Sequence, residues 1–366
     1  MVVAPHPDDE SLATAGIAMR ASALGAETRV LFVTDGENNP WPQRVLERRW
    51  RIRAEDRARW GRRRRAEAMS ALACLGVPPE AASFLGYPDQ QISNLLMADP
   101  DPLLKDLVTE ITAWRPSIVV GPAPMDRHPD HGALAVLTDF ALAMPALRDV
   151  RPALLRYIVH GSFRNVPDEP MGSLRLTLPE QDRKRRAILM HRSQLFLSGP
   201  RFLRFARQEE CYLLAACPRV LDMGHNVTMC RMSQQELMLT IGNVRRPGIG
   251  PLVFQLALVT ETGTTIRAES PLPPRSKAVL ASSAARDQVM AGSFTKSVTG
   301  ARLVLSLGPI DPPTLAYVKL VRPSERRLGF FDSVGWREVP VTPARTEIEM
   351  PAPRVTAVMP NGIPVP

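Results

Sequence analysis

Residues 2–16, VVAPHPDDESLATAG, join an apolar run directly to a tight group of ionisable side chains. His6, Asp8, Asp9 and Glu10 follow at the end of what reads as a buried strand. Neighbouring carboxylates repel each other and lose hydration in such a place, unless a positive charge compensates them. We therefore expect a cation at this point of the fold.

The composition indicates two domains and no membrane-spanning segment. The chain has 366 residues, of which 45% are hydrophobic, enough to bury a sizeable core. The longest apolar stretch, 133–147, is interrupted by Asp139 and is too short to cross a bilayer, and no signal-peptide pattern is present. Four widely spaced cysteines without a CxxC pair indicate neither a disulfide framework nor a cysteine-based zinc site. We expect a cytoplasmic protein.

The first two hundred residues alternate short apolar runs with longer amphipathic stretches. This pattern is typical of a mostly parallel sheet covered by helices, a Rossmann-like three-layer α/β/α architecture. The predicted strands are 2–5, 28–34, 82–85, 117–121 and 154–159. The predicted helices are 11–24, 44–75, 101–114, 131–142 and 180–194.

Beyond about residue 218 the periodicity changes to short alternating runs, such as LVFQLALVT and TLAYVKLVR, separated by Pro and Gly. Such runs predict an all-β, sandwich-like or open-barrel domain. We therefore divide the chain into an α/β domain (1–217), an all-β accessory domain (218–350) and a Pro-rich tail (351–366). The accessory domain either stabilises or oligomerises the protein, or binds carbohydrate or protein.

The net charge of +9 is concentrated in RVLERRWRIRAEDRARWGRRRR, residues 44–65, which holds eleven arginines. One interpretation is a solvated helical segment with internal ion pairs. The other is contact with phosphate on a substrate carrier, with an anionic lipid surface or with nucleic acid. No nucleic-acid-binding motif accompanies the charge, which disfavours the last of these.

A second group of ionisable residues, MDRHPDHGAL, follows the strand SIVVG and contains His128 and His131. Open α/β sheets build their sites at the carboxyl ends of their strands, so two such loops face each other if their strands are neighbours. Two imidazoles and a carboxylate suit Zn²⁺, and the same donors accept Fe²⁺ or Co²⁺. The sequence therefore predicts a metal site.

The adjacent carboxylates of the first group divide into two roles. Pro7 stiffens the turn, so that His6 and Asp9 can point the same way while Asp8 points elsewhere. A divalent cation acidifies water, and a free carboxylate within hydrogen-bond reach can accept the proton. Asp8 is the candidate general base.

Six motifs, in this order along the chain, resemble the PIG-L/LmbE-like family of zinc-dependent N-deacetylases, which act mainly on N-acetylglucosaminyl substrates. The resemblance covers roughly residues 1–215, and the C-terminal third has no counterpart in it. The motifs are PHPDDE, VLFVTDGE, RRAEAMSALACLGV, FLGYPDQ, HPDH and KRRAILMHRSQ.

The resemblance implies a role for each residue of the two groups. The implied metal ligands are His6, Asp9 and His131. Asp8 is implied as the general base, and His128 as an acid or electrostatic partner.

The resemblance also implies two contacts to substrate. Arg64 would present a guanidinium from a helix that faces the site, and Asp89 would reach a sugar hydroxyl. Lys184 and His191 match the late helix, where they either take part in chemistry or dock that helix.

These features predict a metal-dependent amidohydrolase that removes acetyl from an N-acetylated amino sugar and releases acetate and a free amine. The arginine-rich segment favours a small-molecule or glycan-linked substrate on a phosphate or lipid carrier. The alternative is a non-catalytic, metal-containing carbohydrate-binding or membrane-peripheral scaffold in glycan biosynthesis. Nucleic acid is not an expected partner, and the sequence predicts no oligomeric state.

Overall fold

The structure is a computed structural model that describes residues 1–161, 171–214, 227–232, 236–242, 252–272, 275, 277–283, 289–296, 300–322, 331–332 and 334–341. Its strands form two sheets. The first sheet lies within residues 2–214 and the second within residues 227–338.

The first sheet has seven strands in the order β3-β2-β1-β4-β5-β7-β6. Strands β1 to β5 are parallel, whereas β7 pairs antiparallel with both β5 and β6. The predicted mostly parallel sheet is confirmed, but β6 and β7 were not predicted. The strands are β1 Val2–Ala4, β2 Val30–Thr34, β3 Ala82–Tyr87, β4 Ile118–Pro122, β5 Ala153–Tyr157, β6 Met171–Arg175 and β7 Glu209–Leu214.

Helices cover both faces of this sheet, because successive strand side chains point to opposite sides. Val3, on one face, belongs to the same apolar cluster as α5, α6 and α7. Val2 and Ala4, on the other face, pack with α2, α4 and α8. The helices are α1 Asp9–Ala13, α2 Ala15–Ala23, α3 Pro40–Glu47, α4 Ala54–Leu75, α5 Ile92–Ala98, α6 Asp101–Trp114, α7 Pro129–Ala143, α8 Leu178–Met190 and α9 Arg192–Leu203.

Three of the predicted helices are each two helices in the structure. The predicted helix 44–75 is interrupted because Arg48 ends α3 in the left-handed conformation, at φ 52°. The carboxylate of Asp56 then accepts the Arg53 backbone N–H at 3.0 Å and starts α4. Likewise, Thr14 separates α1 from α2, and His191 separates α8 from α9.

The second sheet has nine strands in the order β16-β15-β10-β11-β12-β13-β14-β9-β8, and all its pairs are antiparallel. Its two edges approach each other at a bridge between Met232 and Val341. The predicted all-β region is confirmed. The strands are β8 Val227–Met232, β9 Glu236–Gly242, β10 Val253–Thr260, β11 Thr265–Pro271, β12 Lys277–Ser283, β13 Val289–Lys296, β14 Gly300–Ser306, β15 Pro313–Val321 and β16 Arg337–Glu338.

Every residue of strand β10, in the second sheet, is buried, so both faces of this strand are covered. Leu256 and Leu258 pack inside the second sheet. Ala257 and Val259 point the other way and pack in the cluster that contains α7. Tyr317 on β15 donates a hydrogen bond to Asp139 on α7. The second sheet therefore makes buried contacts with α7, both apolar and polar.

Within the ranges given above, no helix combines the length and the apolar character needed to cross a lipid bilayer. Cys74 and Cys211 are free thiols, and Cys217 lies outside the described residues. The Pro-rich tail 351–366 also lies outside them. The domain boundaries at 217/218 and 350/351 stay predictions.

Candidate active site

The site lies where β1 and β4 end. These strands are neighbours in the sheet, with Val2 paired to Val120, so the loops that follow them face each other. The loop after β1 carries His6, and the one after β4 carries His128. Their ring centroids are 4.7 Å apart although the two residues are far apart along the chain.

The predicted ligands His6, Asp9 and His131 lie around one point. Asp9 Oδ2 is 3.4 Å from Nδ1 of His6 and 3.3 Å from Nε2 of His131. His128 joins this group, since one ring nitrogen from each of the three histidines lies within 4.8 Å of the others. All four side chains are buried.

These residues fit a divalent cation. The side chain of His131 is fully buried, yet neither of its ring nitrogens makes a hydrogen bond of acceptable geometry. A buried imidazole nitrogen without such a bond is costly, and coordination of a metal would satisfy it. A second group of possible metal ligands consists of His6, Asp89 and Asp130, which each offer one ligand atom within 4.8 Å of the others.

The negative charge around His131 is strong enough to hold this histidine protonated. Burial lowers the pKa of His131, but the carboxylates of Asp9 and Asp126 outweigh burial and raise it to about 10. Burial would raise the pKa of Asp126, but charge on His131 lowers it to about 2. A bound cation would take the place of this proton, because it interacts with the same carboxylates.

Asp8 has different surroundings from its neighbour Asp9. Its backbone has a positive φ of 150°, and its carboxylate accepts a hydrogen bond from Nη2 of Arg64 at 2.8 Å. Burial raises the pKa of Asp8 to about 6, and the charge of Arg64 opposes this effect. Asp8 lines the cavity described below. Its carboxyl group therefore titrates closer to neutrality than an ordinary aspartate.

Arg64 is held in place by several acceptors. Its guanidinium donates to the Pro7 carbonyl at 2.7 Å and to the Gly36 carbonyl at 2.8 Å, as well as to Asp8. Gly36 has φ +63°, and a Cβ there would lie 1.8 Å from Nη1 of Arg64. Arg64 thus fixes the loop that carries Asp8, and its predicted contact with substrate stays a prediction.

Asp89 turns its carboxylate toward His6. Its Oδ1 is 3.1 Å from Nε2 of His6, while Oδ2 accepts the Asn38 backbone N–H at 3.0 Å. The residue is buried and lines the cavity. Its predicted contact with a sugar hydroxyl stays a prediction.

Two carboxylates that the sequence did not single out orient the histidines. Asp126 Oδ2 is 3.2 Å from Nδ1 of His131 and accepts the backbone N–H of Val159 at 2.8 Å. Asp130 accepts the backbone N–H of Gln90 at 2.8 Å and lies 3.4 Å from Nε2 of His6. Such partners usually fix the ring orientation of a ligating histidine. Both belong to the motif MDRHPDH, so the signal was present in the sequence.

Lys184 and His191 dock the late helices. Nζ of Lys184 donates to Glu210 at 2.6 Å, and Nε2 of His191 lies 2.8 Å from Glu10 Oε1. Neither residue lines the cavity. The structure therefore assigns them contacts between elements, the second of the two roles left open by the sequence.

A cavity of about 390 Å³ opens above these groups. This volume is within the range of small-molecule sites. Its floor includes His6, Asp8 and Asp9, and its rim includes α3 and α9. The other lining residues are Leu12, Asn39, Pro40, Trp41, Arg64, Asp89, Gln90, His128, His160, Gln194, Ser198, Arg201, Phe202 and Phe331.

Phe331 comes from the C-terminal part of the chain and closes one wall of the cavity. Its ring stacks on His160, with centroids 4.8 Å apart, and meets the edge of His128 at 5.9 Å. The neighbouring Asp332 donates its backbone N–H to the Arg127 carbonyl at 2.9 Å, and its own carbonyl accepts from Arg127 Nε at 3.0 Å. The sequence contained no indication of this contact, because it joins residues 205 positions apart.

The fold and the donor set define an α/β protein with a candidate metal centre at the carboxyl end of its sheet. Residues 1–142 match the PIG-L family, described as GlcNAc-PI de-N-acetylase. This part of the chain is a PIG-L family domain, so the family predicted from the motifs is confirmed there. The motif KRRAILMHRSQ lies beyond the matched residues.

Named relatives are deacetylases of 1D-myo-inositol 2-acetamido-2-deoxy-alpha-D-glucopyranoside. The one from Mycobacterium avium (strain 104) is 35% identical over 144 residues, covering 36% of this chain and 47% of that protein. The one from Rhodococcus jostii (strain RHA1) is 32% identical over 156 residues, covering 39% and 52%. The chain thus spans about half the length of the curated relatives it matches.

Two solved structures are also similar. The conserved protein TT1542 from Thermus thermophilus is 24% identical, with a TM-score of 0.43, over 61% of this chain and 97% of that chain. The N,N'-diacetylchitobiose deacetylase from Pyrococcus horikoshii is 20% identical, with a TM-score of 0.45, over 58% and 81%.

We expect the purified protein to contain a stoichiometric divalent metal, and the double variant His6→Gln/His131→Gln to lose it, because two of the donors are gone. Elemental analysis measures the metal, and far-UV circular dichroism checks the fold. Asp8→Asn is the matched control, since Asp8 faces Arg64, and it should retain the ion. Equal metal content in the wild type and the double variant would contradict this site.

Proposed function

We propose that this protein is a metal-dependent deacetylase that removes the acetyl group from an N-acetylated amino sugar. The observation that carries this proposal is the convergence of His6, Asp9 and His131 on one point, beside the separate carboxylate of Asp8 in a cavity. The names of the relatives support an N-acetylglucosaminyl substrate. The cytoplasmic location expected from the sequence stays a prediction.

Zinc is the ion that we propose for the site, with His6, Asp9 and His131 as its ligands. Two imidazoles and one carboxylate are a common donor set for catalytic zinc, and Fe²⁺ or Co²⁺ suits the same donors. When bound, such an ion supplies a Lewis acid that polarises the acetyl carbonyl and acidifies water.

Asp8 is the proposed general base. An amide is a poor electrophile because of its resonance, and its nitrogen leaves only when it is protonated. Asp8 would accept a proton from the attacking water and return it to the departing nitrogen. Arg64 positions Asp8 for both steps through the 2.8 Å hydrogen bond. Water and the amide are thereby converted into acetate and an amine.

His128 is the proposed partner of the negative oxygen that develops on the carbonyl. Burial, reinforced by charge on His6 and His131, holds the pKa of His128 well below its usual value, so the ring is neutral. Nδ1 of His128 accepts the Asp130 backbone N–H at 3.2 Å. The ring proton therefore lies on Nε2, where it can be donated.

The non-catalytic scaffold is the less favoured function. It would not need a carboxyl group of raised pKa beside the metal ligands, or a fixed tautomer on His128. A phosphate or lipid carrier on the substrate is part of the proposal, since the arginine-rich segment adjoins the cavity rim at α3.

Acetate release tests the proposed function. We expect metal-replete protein to release acetate from at least one of N-acetylglucosamine, N-acetylglucosaminyl-inositol, N,N'-diacetylchitobiose, a nucleotide-linked and a lipid-linked N-acetylglucosamine. Protein stripped of metal by a chelator is the control, and readdition of Zn²⁺ should restore the rate. If metal-replete protein releases no acetate from any of these compounds, the proposal fails.

Asp8→Asn should lower kcat by about 10²-fold to 10³-fold or more while the metal content stays unchanged. The amide cannot accept a proton, but it keeps the shape of the side chain. Asp182→Asn, on the exposed surface of α8, is the matched control and should behave as wild type. Wild-type turnover by Asp8→Asn would refute the assignment of the base.

Phe331 is proposed to contact the substrate from the wall that the C-terminal region contributes. Phe331→Ala should raise KM roughly 2-fold to 10-fold, because an aromatic contact of this kind is worth about 0.5–1.5 kcal/mol. Phe331→Tyr retains the ring and should preserve KM. Steady-state kinetics and metal analysis distinguish this effect from damage to the metal site. An unchanged KM in Phe331→Ala would count against the contact.

A further inference from the structure

We propose that α3, the residues that follow it, and α9 form a surface that docks on an anionic lipid bilayer. This docking face consists of the apolar residues Trp41, Val45, Trp50, Phe196 and Leu197 and the arginines Arg48, Arg51, Arg192 and Arg204. The proposal goes beyond the deacetylase function, and only its link to a lipid-carried substrate rests on that function.

The apolar residues of the docking face are unusually exposed. Trp50 is 81% exposed and Trp41 is 60% exposed, although tryptophan is usually largely buried. Of the ten large hydrophobic side chains that are exposed in the described ranges, five belong to this face. Clustered exposed apolar side chains indicate an interaction surface.

Contacts between α3 and α9 make the face continuous. Asn39, directly before α3, donates a hydrogen bond to Gln194 of α9 at 2.9 Å. The guanidinium carbon of Arg44 lies 5.0 Å from the centre of the Trp41 ring, and its Nε donates to the Trp50 carbonyl at 3.1 Å. Arg44 of α3 thus contacts both the Trp41 ring and the backbone of Trp50.

The arginines of the docking face lie close to its apolar side chains along the chain. Arg48, which ends α3, follows Val45 by three positions, and Arg204, which directly follows α9, comes seven positions after Leu197. Within α9, Arg192 precedes Phe196 by four positions, which places these two side chains on one side of the helix. Tryptophan and leucine beside arginine are typical of helices that lie in a membrane interface.

These charges are available to a partner. Arg49, Arg59, Arg63 and Arg65 pair with nearby carboxylates, so part of the segment is the solvated, ion-paired surface that the sequence allowed. Among the described residues, no ion pair involves Arg48, Arg51, Arg192 or Arg204. An anionic bilayer complements both these charges and the apolar side chains, whereas a nucleic acid backbone would leave the latter in water.

The position of the face relative to the cavity supports a lipid surface. Trp41 belongs to the docking face and also lines the cavity. Ser198, the neighbour of Leu197 in the chain, lines the cavity too. Docking through this face would place the cavity mouth at the bilayer surface. A substrate on a lipid carrier would then be within reach without leaving the membrane.

Sedimentation with vesicles tests the docking face, using the full chain. We expect binding to vesicles of phosphatidylcholine with phosphatidylglycerol, and much weaker binding to phosphatidylcholine alone. Arg48→Gln/Arg51→Gln/Arg192→Gln should reduce the partition coefficient on the order of 100-fold, since each basic residue near the surface contributes about fivefold. Trp50→Ala/Phe196→Ala should reduce it as well, and its effect should persist in high salt.

Matched controls come from other surfaces. Leu24→Ser removes an exposed apolar side chain outside the face, and Arg148→Gln/Arg151→Gln removes exposed charge, so both should bind as wild type. Thermal unfolding checks that each variant is folded.

The proposal is overturned if wild type does not sediment with anionic vesicles, if the face variants sediment as wild type does, or if duplex DNA competes fully at equal charge. Acetate release from N,N'-diacetylchitobiose, which carries neither phosphate nor lipid, should be unchanged in the face variants, so a failure here is separable from a failure of the proposed function.

Discussion

The rest of the site depends on the buried negative charge that gathers at the carboxyl ends of two neighbouring strands. Because β1 and β4 are parallel neighbours, the carboxylates of Asp9 and Asp130 are brought against the same histidine, His6. Buried carboxylates are tolerated only with compensating charge or hydrogen bonds. Backbone N–H groups satisfy Asp130, at 2.8 Å from Gln90 and 3.1 Å from Ile92. The carboxylate of Asp9 instead faces the imidazole rings of His6 and His131. A cation is therefore most strongly favoured beside Asp9.

Two consecutive aspartates acquire different properties from this constraint. Asp9 lies between imidazoles, and their charges lower its pKa against the opposing effect of burial. Asp8, with φ 150°, is directed to Arg64 instead. The guanidinium also bridges the Pro7 and Gly36 carbonyls, so the conformation of the first loop and the position of the proposed base are fixed by one side chain.

The second sheet contributes to the site as well as to the core. Its strand β10 is buried on both faces, and one of these faces packs against α7. Contacts between Asp332 and Arg127, and between the backbone N–H of Trp336 and the Pro124 carbonyl at 2.8 Å, attach the segment that carries Phe331 to the loop of His128. The sequence left the role of the accessory region open. Its proximity to the cavity gives it a role in shaping the space available to substrate.

The sequence by itself predicted the α/β class and the all-β character of the later region, and the resemblance of its motifs implied the group of His6, Asp9 and His131. Periodic apolar patterns, and metal-ligating side chains next to strand ends, are local features, so the order of residues along the chain is enough to recognise them. The two breaks in the helices escaped prediction for different reasons. At Arg48 the chain adopts the left-handed conformation, which a residue other than glycine seldom does, and at His191 the ring contacts Glu10, 181 positions away. Tertiary structure alone decided that Arg64 holds Asp8, that Asp126 orients His131 and that Phe331 reaches the cavity. Each of these contacts joins segments whose proximity follows from strand order and core packing, and neither of these is encoded in the spacing of residues along the chain.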